Sequence, residues 1–580
     1  PMLRGGSRLV LTYNGEIYNY LEIRADLMKL GARFETDTDS EVLLAAYEHW
    51  GSDCLQRLNG MFAFAILDPA RNRVFCARDR YGEKPFLFHA GRELFAFASE
   101  YKALLQHPDI PLDIDESRLL RSAHNASTGL DADRGTVFDH VQQLLPGEAL
   151  ELDLASLAPR IWRYWQVQPG NTRSVRDERE VFEEFRELLI DSVRLRLRSD
   201  VPVGSCLSGG LDSSAIVCIV RRLLGDDAPY ETFTGHFPGT SADEWSYAKQ
   251  VVDASCVNSH RTEPTVERFM RELPSFVWHN ELPVGSSSQF AQWCVFDLAR
   301  EHGVTVLLDG QGADEALGGY EQYFAYYVQA LRENGDDARL SRELPLIRER
   351  YPLALTPPAR ALRDHLPFGV RHWLSNRFGL GSSLLYGLRP QVANRVAAQN
   401  ALQRNPGFDP LANALEQDSF GRYLTTLLRY GDRNSMAHSR EVRLPFCDHR
   451  IAELVFALPP HLLMGEVQTK RLLRESMRGI LPEPIRTRWN KQGFRPPQDM
   501  WFESRSFLGL ARDTLGSTRF AQSDTWVAGW WGKALDRVEG GELGLGWTLW
   551  APMMIEWWKD HFLAPLTAER ARLADVREAA

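Results

Sequence analysis

The sequence predicts two domains of α+β and α/β type in series: an N-terminal layered β-sandwich flanked by helices, then a doubly wound parallel sheet with extra helices. Three observations carry this. The chain has 580 residues, too many for one hydrophobic core. Its first 160 or so residues interleave short apolar, β-branched runs with two helical stripes, as strands layered with helices do. Beyond residue 180 the order becomes strand, glycine loop, helix, the pattern of a parallel sheet covered on both faces.

The elements follow in order. Leu9-Val10-Leu11-Thr12-Tyr13 is a short strand. Ile23, Leu27 and Leu30 are spaced by four and three, with Gly31 closing the helix; Val42, Leu43, Ala46, Tyr47 and Trp50 make a second stripe closed by Gly51. Phe62, Phe64 and Ile66 alternate with small residues, as in a strand with one large-residue face, and short runs follow at Arg73–Cys76 and Leu94–Ala98. The polar stretch Gln168 to Glu180 reads as a linker, so the expected division is 1–165, linker 166–180, and 181–565. Phe182, Phe185, Leu189 and Val193 mark an amphipathic helix. Val203 to Leu207 is a strand, followed by a glycine loop and the helix Ala215–Leu224; Glu231–Phe237 and Val304–Leu308 are further strands. Residues 325 to 430, rich in Leu, Arg and Ala, read as helical. No internal repeat is evident.

Composition narrows the function. Hydrophobic residues are 44% and charged residues 25%, and the formal charge is −10 from 67 basic and 77 acidic residues with no basic block. That argues against nucleic acid as the main partner. No apolar run approaches the ~18 residues that span a bilayer, and the start shows no signal peptide. The densest apolar stretch, Trp547 to Trp558, is interrupted by Pro552 and Glu556 and reads as a buried, aromatic-rich helix. The seven cysteines are scattered without a CxxC pair, so neither zinc nor a disulfide framework is indicated. A cytoplasmic protein is expected.

The strongest motif is Ser208-Gly209-Gly210-Leu211-Asp212-Ser213-Ser214, between an apolar strand and an apolar-periodic helix. Paired glycines let backbone approach an anion, and hydroxyls with the helix's first N–H groups point at it. An ordinary serine-capped turn would need no acid within the loop. Asp212 there fits a Mg²⁺ ligand facing phosphate oxygens. The loop lacks the GKS/T ending of a Walker A motif and is not GxGxxG. A second loop, Asp309-Gly310-Gln311-Gly312-Ala313-Asp314-Glu315, again follows a strand directly and continues to Gly318-Gly319-Tyr320. Carboxyl ends of strands are where such sheets place ligands, and Asp314 is a second candidate Mg²⁺ ligand.

Here a family resemblance becomes specific. SGGLDSS resembles the pyrophosphate-binding signature of the PP-loop ATP pyrophosphatases. DGQGADEALGGY resembles the second motif of the asparagine synthetases, and so do the segments Arg433 to Phe446 and Arg488-Trp-Asn-Lys491-Gln-Gly-Phe494. The resemblance implies ATP and Mg²⁺ as cofactors and the conversion of L-aspartate to L-asparagine through a β-aspartyl-adenylate, with AMP and pyrophosphate released. It implies nucleotide contacts from Leu207, Ser208, Gly209, Gly210, Asp212, Ser213, Ser214, Gly235, Asp309 and Gly310, metal ligands Asp212 and Asp314, and a transition-state cation at Lys491. Gln311 stands where enteric bacterial members carry a glutamate. A glutamine cannot accept a proton, so it orients by hydrogen bonds.

The first half carries Asn14-Gly15-Glu16-Ile17-Tyr18-Asn19, which resembles the substrate loop of the class II glutamine amidotransferases, with an N-terminal-nucleophile hydrolase fold. Asn14 and Gly15 would form an oxyanion hole for the glutamine amide, and Glu16 and Asp39 would bind its α-amino group. Read alone, Asn-Gly is a plain turn and Asp39 a helix N-cap. In that class the nucleophile is an N-terminal cysteine. This sequence opens on Pro1 and Met2 and is soon in a strand, which reads as an incomplete chain unable to hydrolyse glutamine, though free ammonia still serves. Cys54 and Cys76 read as buried, inert thiols. Substrates are thus small molecules: aspartate, glutamine or ammonia, and ATP. The alternatives are a related acyl-adenylate-forming synthetase with another acceptor, or a catalytically dead nucleotide-binding subunit. Whether the chain forms a homodimer stays open.

Overall fold

A computed structural model describes residues 1–3, 8–124, 131, 133–168, 177–355, 368–378, 383–397, 405–489 and 498–579. The N-terminal half contains strands β1 (Met2–Leu3), β2 (Val10–Ile17), β3 (Gly60–Asp68), β4 (Arg73–Arg78), β5 (Leu87–Ala90), β6 (Phe95–Ala98), β7 (Gln142–Gln143), β8 (Glu148–Asp153) and β9 (Pro159–Arg163). They form two antiparallel sheets, ordered β1-β2-β3-β4-β8-β9 and β6-β5-β7. β3 explains the layering. Phe62, Phe64 and Ile66 pack against Ile23, Leu27, Val42, Leu43 and Tyr47 of the helices Tyr20–Lys29 and Asp39–Trp50. On the opposite face Ala63 and Ala65, with Cys76 and Leu150, meet Phe86, Phe88 and Leu144. Small residues there let the second sheet approach closely, so both faces of β3 are buried.

β2 runs on to Ile17, past the Tyr13 that the apolar run predicts. Asn14 to Ile17 stay in antiparallel register with Ala63 to Gly60, so the predicted Asn-Gly-Glu loop is strand. Gly15 makes this feasible: its φ is +143°, and a Cβ there would stand 2.0 Å from the Met61 carbonyl oxygen. β5, β8 and β9 were not legible as strands. β9 opens on Pro159 at a sheet edge, where no ladder N–H is required.

The C-terminal half carries β10 (Val203–Cys206), β11 (Glu231–Gly235), β12 (Asn258–Thr262), β13 (Val306–Leu308) and β14 (Glu441–Arg443), all parallel, in the order β12-β11-β10-β13-β14. The chain winds outward from β10 first to one side and then to the other. The switch point therefore lies between the carboxyl ends of β10 and β13. One face is covered by Phe185, Leu189, Ile216 and Val220 of the helices Glu178–Arg196 and Leu211–Leu224. The other is covered by Val295, Phe296 and Ala299 of Ser288–Glu301, against Phe233, Val304 and Leu307.

Boundaries differ in ways that matter. The helix after the glycine loop begins at Leu211, not Ala215: Gly210 caps it with ψ 162°, and the Ser214 N–H reaches the Gly210 carbonyl at 3.1 Å. Asp212, Ser213 and Ser214 thus lie in its first turns. β11 ends at Gly235, not Phe237, and β13 begins at Val306, not Val304. β12 and β14 escaped the sequence reading because their sequences, Asn-Ser-His-Arg-Thr and Glu-Val-Arg, carry the polarity of sheet edges. The helix Glu178–Arg196 starts inside the expected linker, capped by Asp177, while residues 169–176 lie outside the described residues. Most of the described residues of 325–430 are helical, joined by turns, a 3₁₀ turn at Leu384–Gly387 and a bridge from Leu388 to Trp526.

The apolar stretch near the C-terminus forms the helix Gly546–Trp558 with Pro552 inside it. Trp550 and Trp558 donate to the carbonyls of Val284 and Glu281 at 3.0 and 2.8 Å. No helix among the described residues is long and apolar enough to cross a membrane. The two halves share a polar, buried seam: Lys84 pairs with Asp432 at 3.0 Å, and Asn59 donates to Asp448 at 3.0 Å.

Cysteine placement yields a simple check. Cys256 is exposed, whereas Cys54 and Cys76 are buried, and burial pushes the Cys54 thiol up to about 12 and the Cys76 thiol up further. Brief alkylation of the native protein at pH 8, read by peptide mass mapping, is expected to label Cys256 and spare both. Labelling of Cys54 or Cys76 at the rate of Cys256 would contradict the packing.

Candidate active site

The glycine loop leaves β10 and closes on itself before the helix begins. Leu207 donates to the Phe233 carbonyl at 2.9 Å, and Thr234 Oγ1 donates to the Leu207 carbonyl at 2.6 Å, binding loop to β11. Ser208 Oγ accepts from the Gly210 N–H at 3.3 Å and shares a hydrogen bond with Ser213 Oγ at 3.2 Å. Gly209 has φ +78°, and a Cβ there would lie 2.4 Å from the Ala248 nitrogen. Ser214 Oγ is buried without a hydrogen-bond partner among the described residues. The helix start leaves its first N–H groups without intrahelical acceptors, a ready anion site. Gly235 ends β11 in register with Thr262, next to Thr234.

The second loop comes into contact with the first. A Cβ on Gly310 would meet Asp212 Cβ at 2.9 Å and the Ser213 nitrogen at 3.0 Å. Asp309 holds the Gly310 N–H at 2.6 Å. Burial first, and then the nearby Asp212 charge, raise the Asp309 carboxyl to about 6.

The residue that joins the loops was not singled out in the sequence. Lys470 Nζ lies 2.6 Å from both Asp212 carboxylate oxygens and 2.6 Å from Asp314 Oδ1. It is 2% exposed, with backbone φ 52°, and it caps the N-terminus of the helix Arg471–Ser476. A left-handed backbone at a non-glycine residue costs energy, and a cation at a helix N-terminus opposes the dipole. Two carboxylates offset both. That unfavourable cation was the one signal available in the sequence. Gly319 makes room for the pair, because a Cβ there would stand 1.8 Å from Asp314 Oδ1 and 2.3 Å from Lys470 Cε. Glu315 is buried beside them; burial first and then Asp314 raise its carboxyl to about 7, and Tyr320 OH donates to it at 2.5 Å.

Asp212 and Asp314 thus direct oxygens at one point from two loops. Hard carboxylate oxygens suit Mg²⁺, which takes one or two of them with phosphate oxygens and water. No group of three or more His, Cys, Asp or Glu ligands exists among the described residues.

Gln311 turns toward a cluster of amides. Its Oε1 lies 3.5 Å from where a Cβ on Gly431 would be, and Gln292 Nε2 lies 3.9 Å from the same point. Asn434 donates to Gln292 Oε1 at 3.1 Å. Lys491 lies outside the described residues. Arg488, just before it, stacks 3.6 Å over Tyr247 and pairs with Glu244, and Ala248, the next residue after Tyr247, packs on Gly209.

In the N-terminal half, Asn14 Nδ2 donates to Ser99 Oγ at 3.3 Å. Asp39 is not the helix cap; Thr38 takes that place, accepting from Glu41. The Asp39 carboxylate instead turns to β2, accepting from Tyr13 OH at 2.7 Å and from the Ile17 N–H at 2.9 Å. Glu16 Oε1 stands 3.7 Å from Arg443 Nη2. Burial first, and then Glu441, raise the Glu16 carboxyl to about 7 against the pull of Arg443. The downstream Arg78-Asp79-Arg80 segment is scaffold: Asp79 accepts from the N–H groups of Phe62, Tyr81, Glu83 and Lys84.

Comparison with known proteins decides the family. The asparagine synthase model matches residues 184–560, and the glutamine amidotransferase domain model matches residues 1–165. The chain belongs to the asparagine synthase family. Asparagine synthetase (glutamine-hydrolyzing) 3 of Bacillus subtilis is 32% identical over 498 residues, covering 83% of this chain and 74% of its own. Asparagine synthetase (glutamine-hydrolyzing) 1 of the same organism is 29% identical, covering 85% and 77%. Amidase chry2 of Gibberella zeae is 25% identical over 539 residues, covering 86% and 78%. The asparagine synthase family uses ATP, and this member is a carbon–nitrogen ligase.

Proposed function

We propose that the chain amidates L-aspartate to L-asparagine at the expense of ATP, through a β-aspartyl-adenylate, with ammonia drawn from glutamine or from solution. One observation carries this reading: the Asp212–Lys470–Asp314 pin joins the glycine loop to the Asp309–Glu315 loop at the sheet's switch point. The aspartate β-carboxylate oxygen attacks the α-phosphorus, and the bond to pyrophosphate breaks. Ammonia then attacks the acyl carbon and loses a proton, and AMP leaves.

Each residue serves the charge that develops. Ser208, Gly209, Gly210, Ser213 and Ser214 cradle the pyrophosphate oxygens with N–H and O–H donors, while Leu207, Gly235, Asp309 and Gly310 line the nucleotide. Mg²⁺, held by Asp212 and Asp314, neutralises phosphate charge when bound. Lys470 places an ammonium within reach of the same oxygens, and Lys491, by family resemblance, supplies a second cation. Gln311 orients the acceptor by hydrogen bonds. In the first half Asn14 and Gly15 stabilise the amide oxyanion, and Glu16 and Asp39 take the glutamine ammonium. A related synthetase with another acceptor is the second reading, favoured by the neutral amides Gln311 and Gln292 on the acceptor side.

Pyrophosphate release is the test. With ATP, Mg²⁺, ammonium and L-aspartate, asparagine and pyrophosphate are expected in equal amounts, and the Lys491→Ala variant should make neither. No aspartate-dependent pyrophosphate from a folded, ATP-binding chain would overturn the choice of acceptor.

A pH dependence follows for the first half. Glu16, raised to about 7, is ionised above that pH and pairs with an ammonium; below it the carboxyl is neutral and releases the pair. The Kd for L-glutamine, measured by calorimetry, should be lowest near pH 8 and rise by up to ~tenfold per pH unit on acidification below 7. An unchanged Kd between pH 6 and 8 would remove Glu16 from the binding set.

A further inference from the structure

We propose that Arg443 is a positioning residue that couples the glutamine half to the nucleotide half, gripping Glu16 through its side chain and the Asp309 loop through its backbone. The inference rests on the reading of Glu16 as a glutamine-binding residue. The backbone link is short. β14 pairs with β13, and the Arg443 carbonyl accepts the Asp309 N–H at 3.1 Å. Asp309 in turn holds Gly310, and Gly310 packs on Asp212 and Ser213 of the glycine loop. One residue therefore sets the height of the loop that touches the phosphate cradle.

The side chain is held on all but one edge. Arg443 is 3% exposed. Its Nη1 donates to the carbonyls of Arg196 and Arg198 at 3.0 and 2.5 Å, and its Nε donates to Glu441 at 2.5 Å. Only Nη2 faces Glu16, at 3.7 Å, a separation longer than a hydrogen bond and open to tightening. Tyr18, two residues beyond Glu16, lies under both Arg196 and Arg443 at 4.5 and 5.5 Å. The end of β2 and the carboxyl end of β14 are thus packed as one body.

The charges around Glu16 give the coupling its sign. Burial, Glu441 and Asp39 raise the cost of its charge, whereas Arg443 and Lys84 lower it. Glu16 and Glu441 compete for one guanidinium. A glutamine ammonium arriving at Glu16 favours the ionised form, competes with Nη2 for that carboxylate and shifts the guanidinium toward Glu441. That pulls on β14 and on the Asp309 N–H. By linkage, each ligand must alter the other's affinity by the same factor.

The test uses the full chain, L-glutamine and α,β-methylene-ATP, with each Kd measured by calorimetry in the absence and presence of the other ligand. The wild type is expected to show one shared factor, at least about fivefold. Arg443→Lys keeps the charge but loses the fork, and should reduce the shared factor to about one whatever its effect on each Kd alone. Glu441→Gln, which touches neither ligand, removes the competitor for the guanidinium and should change the shared factor; this readout survives if Arg443→Lys fails to fold. Both ligands binding the wild type without mutual effect, or Glu441→Gln leaving the shared factor in place, would overturn the coupling and leave the assignment of Glu16 standing. No glutamine binding to the wild type, with ATP-analogue binding intact, would overturn the assignment of Glu16 and the coupling with it.

Discussion

Lys470→Ala is expected to lower kcat/KM for ATP by a factor on the order of 10²–10³, the usual effect of deleting a preorganised charge from a reacting centre. The geometry gives two reasons. The ammonium is the group on the Arg471–Ser476 side that reaches both Asp212 and Asp314, at 2.6 Å each. Its loss also leaves two largely buried carboxylates facing each other. Breaking a buried pair from one side costs about 3–5 kcal/mol, so the melting temperature should fall as well. Because the carboxylates are good hard-oxygen ligands, Mg²⁺ should raise the melting temperature of the variant more than that of the wild type. Lys470→Arg separates charge from shape: it keeps the cation while the planar fork misfits the pin. Wild-type turnover by Lys470→Ala would show that the lysine only fills space.

Gly319→Ala should cost nearly as much activity from a single added methyl. A Cβ at this position would overlap Asp314 Oδ1 and Lys470 Cε, and both are held by the same ion pair, so neither can withdraw without parting it. Overpacking of this kind costs about 1–3 kcal/mol or more. Here the displaced atoms are the metal ligand and the cation, so pyrophosphate release should fall roughly as far as in Lys470→Ala. Gly529→Ala is the matched control, since its Cβ would meet nothing within 4 Å inside the helix Ala528–Glu539. That change should leave activity intact and stability equal or slightly raised. A Gly319→Ala enzyme that is stable and active would mean that the pin opens during turnover.

The parts of the site that are contiguous in the chain were legible. Ser208 to Ser214 and Asp309 to Asp314 each carry paired glycines and acids after an apolar strand, and the fold sets both at the switch point between β10 and β13. Lys470 was not legible because its role comes from a left-handed backbone and from distant partners, one of them 258 residues away in the chain. Arg443 was visible only as part of a motif. Its function lies in β14, three residues of polar edge strand whose partner β13 is distant in sequence. Asn14 to Ile17 were read as a loop because Asn-Gly signals a turn. The close approach of the Met61 carbonyl to Gly15, a tertiary demand, keeps them in the strand. Asp39 was placed at a helix start correctly, yet its carboxylate serves β2 while Thr38 performs the capping.

The central claim is that an acceptor carboxylate attacks the α-phosphorus of ATP within the Ser208–Ser214 cradle. Oxygen transfer reads this directly. L-aspartate labelled with ¹⁸O in its β-carboxylate is supplied with ATP, Mg²⁺ and ammonium, and the nucleotide product is analysed by mass spectrometry. The account predicts AMP carrying one ¹⁸O, released together with unlabelled pyrophosphate. Unlabelled AMP, or ADP with labelled inorganic phosphate, would contradict it.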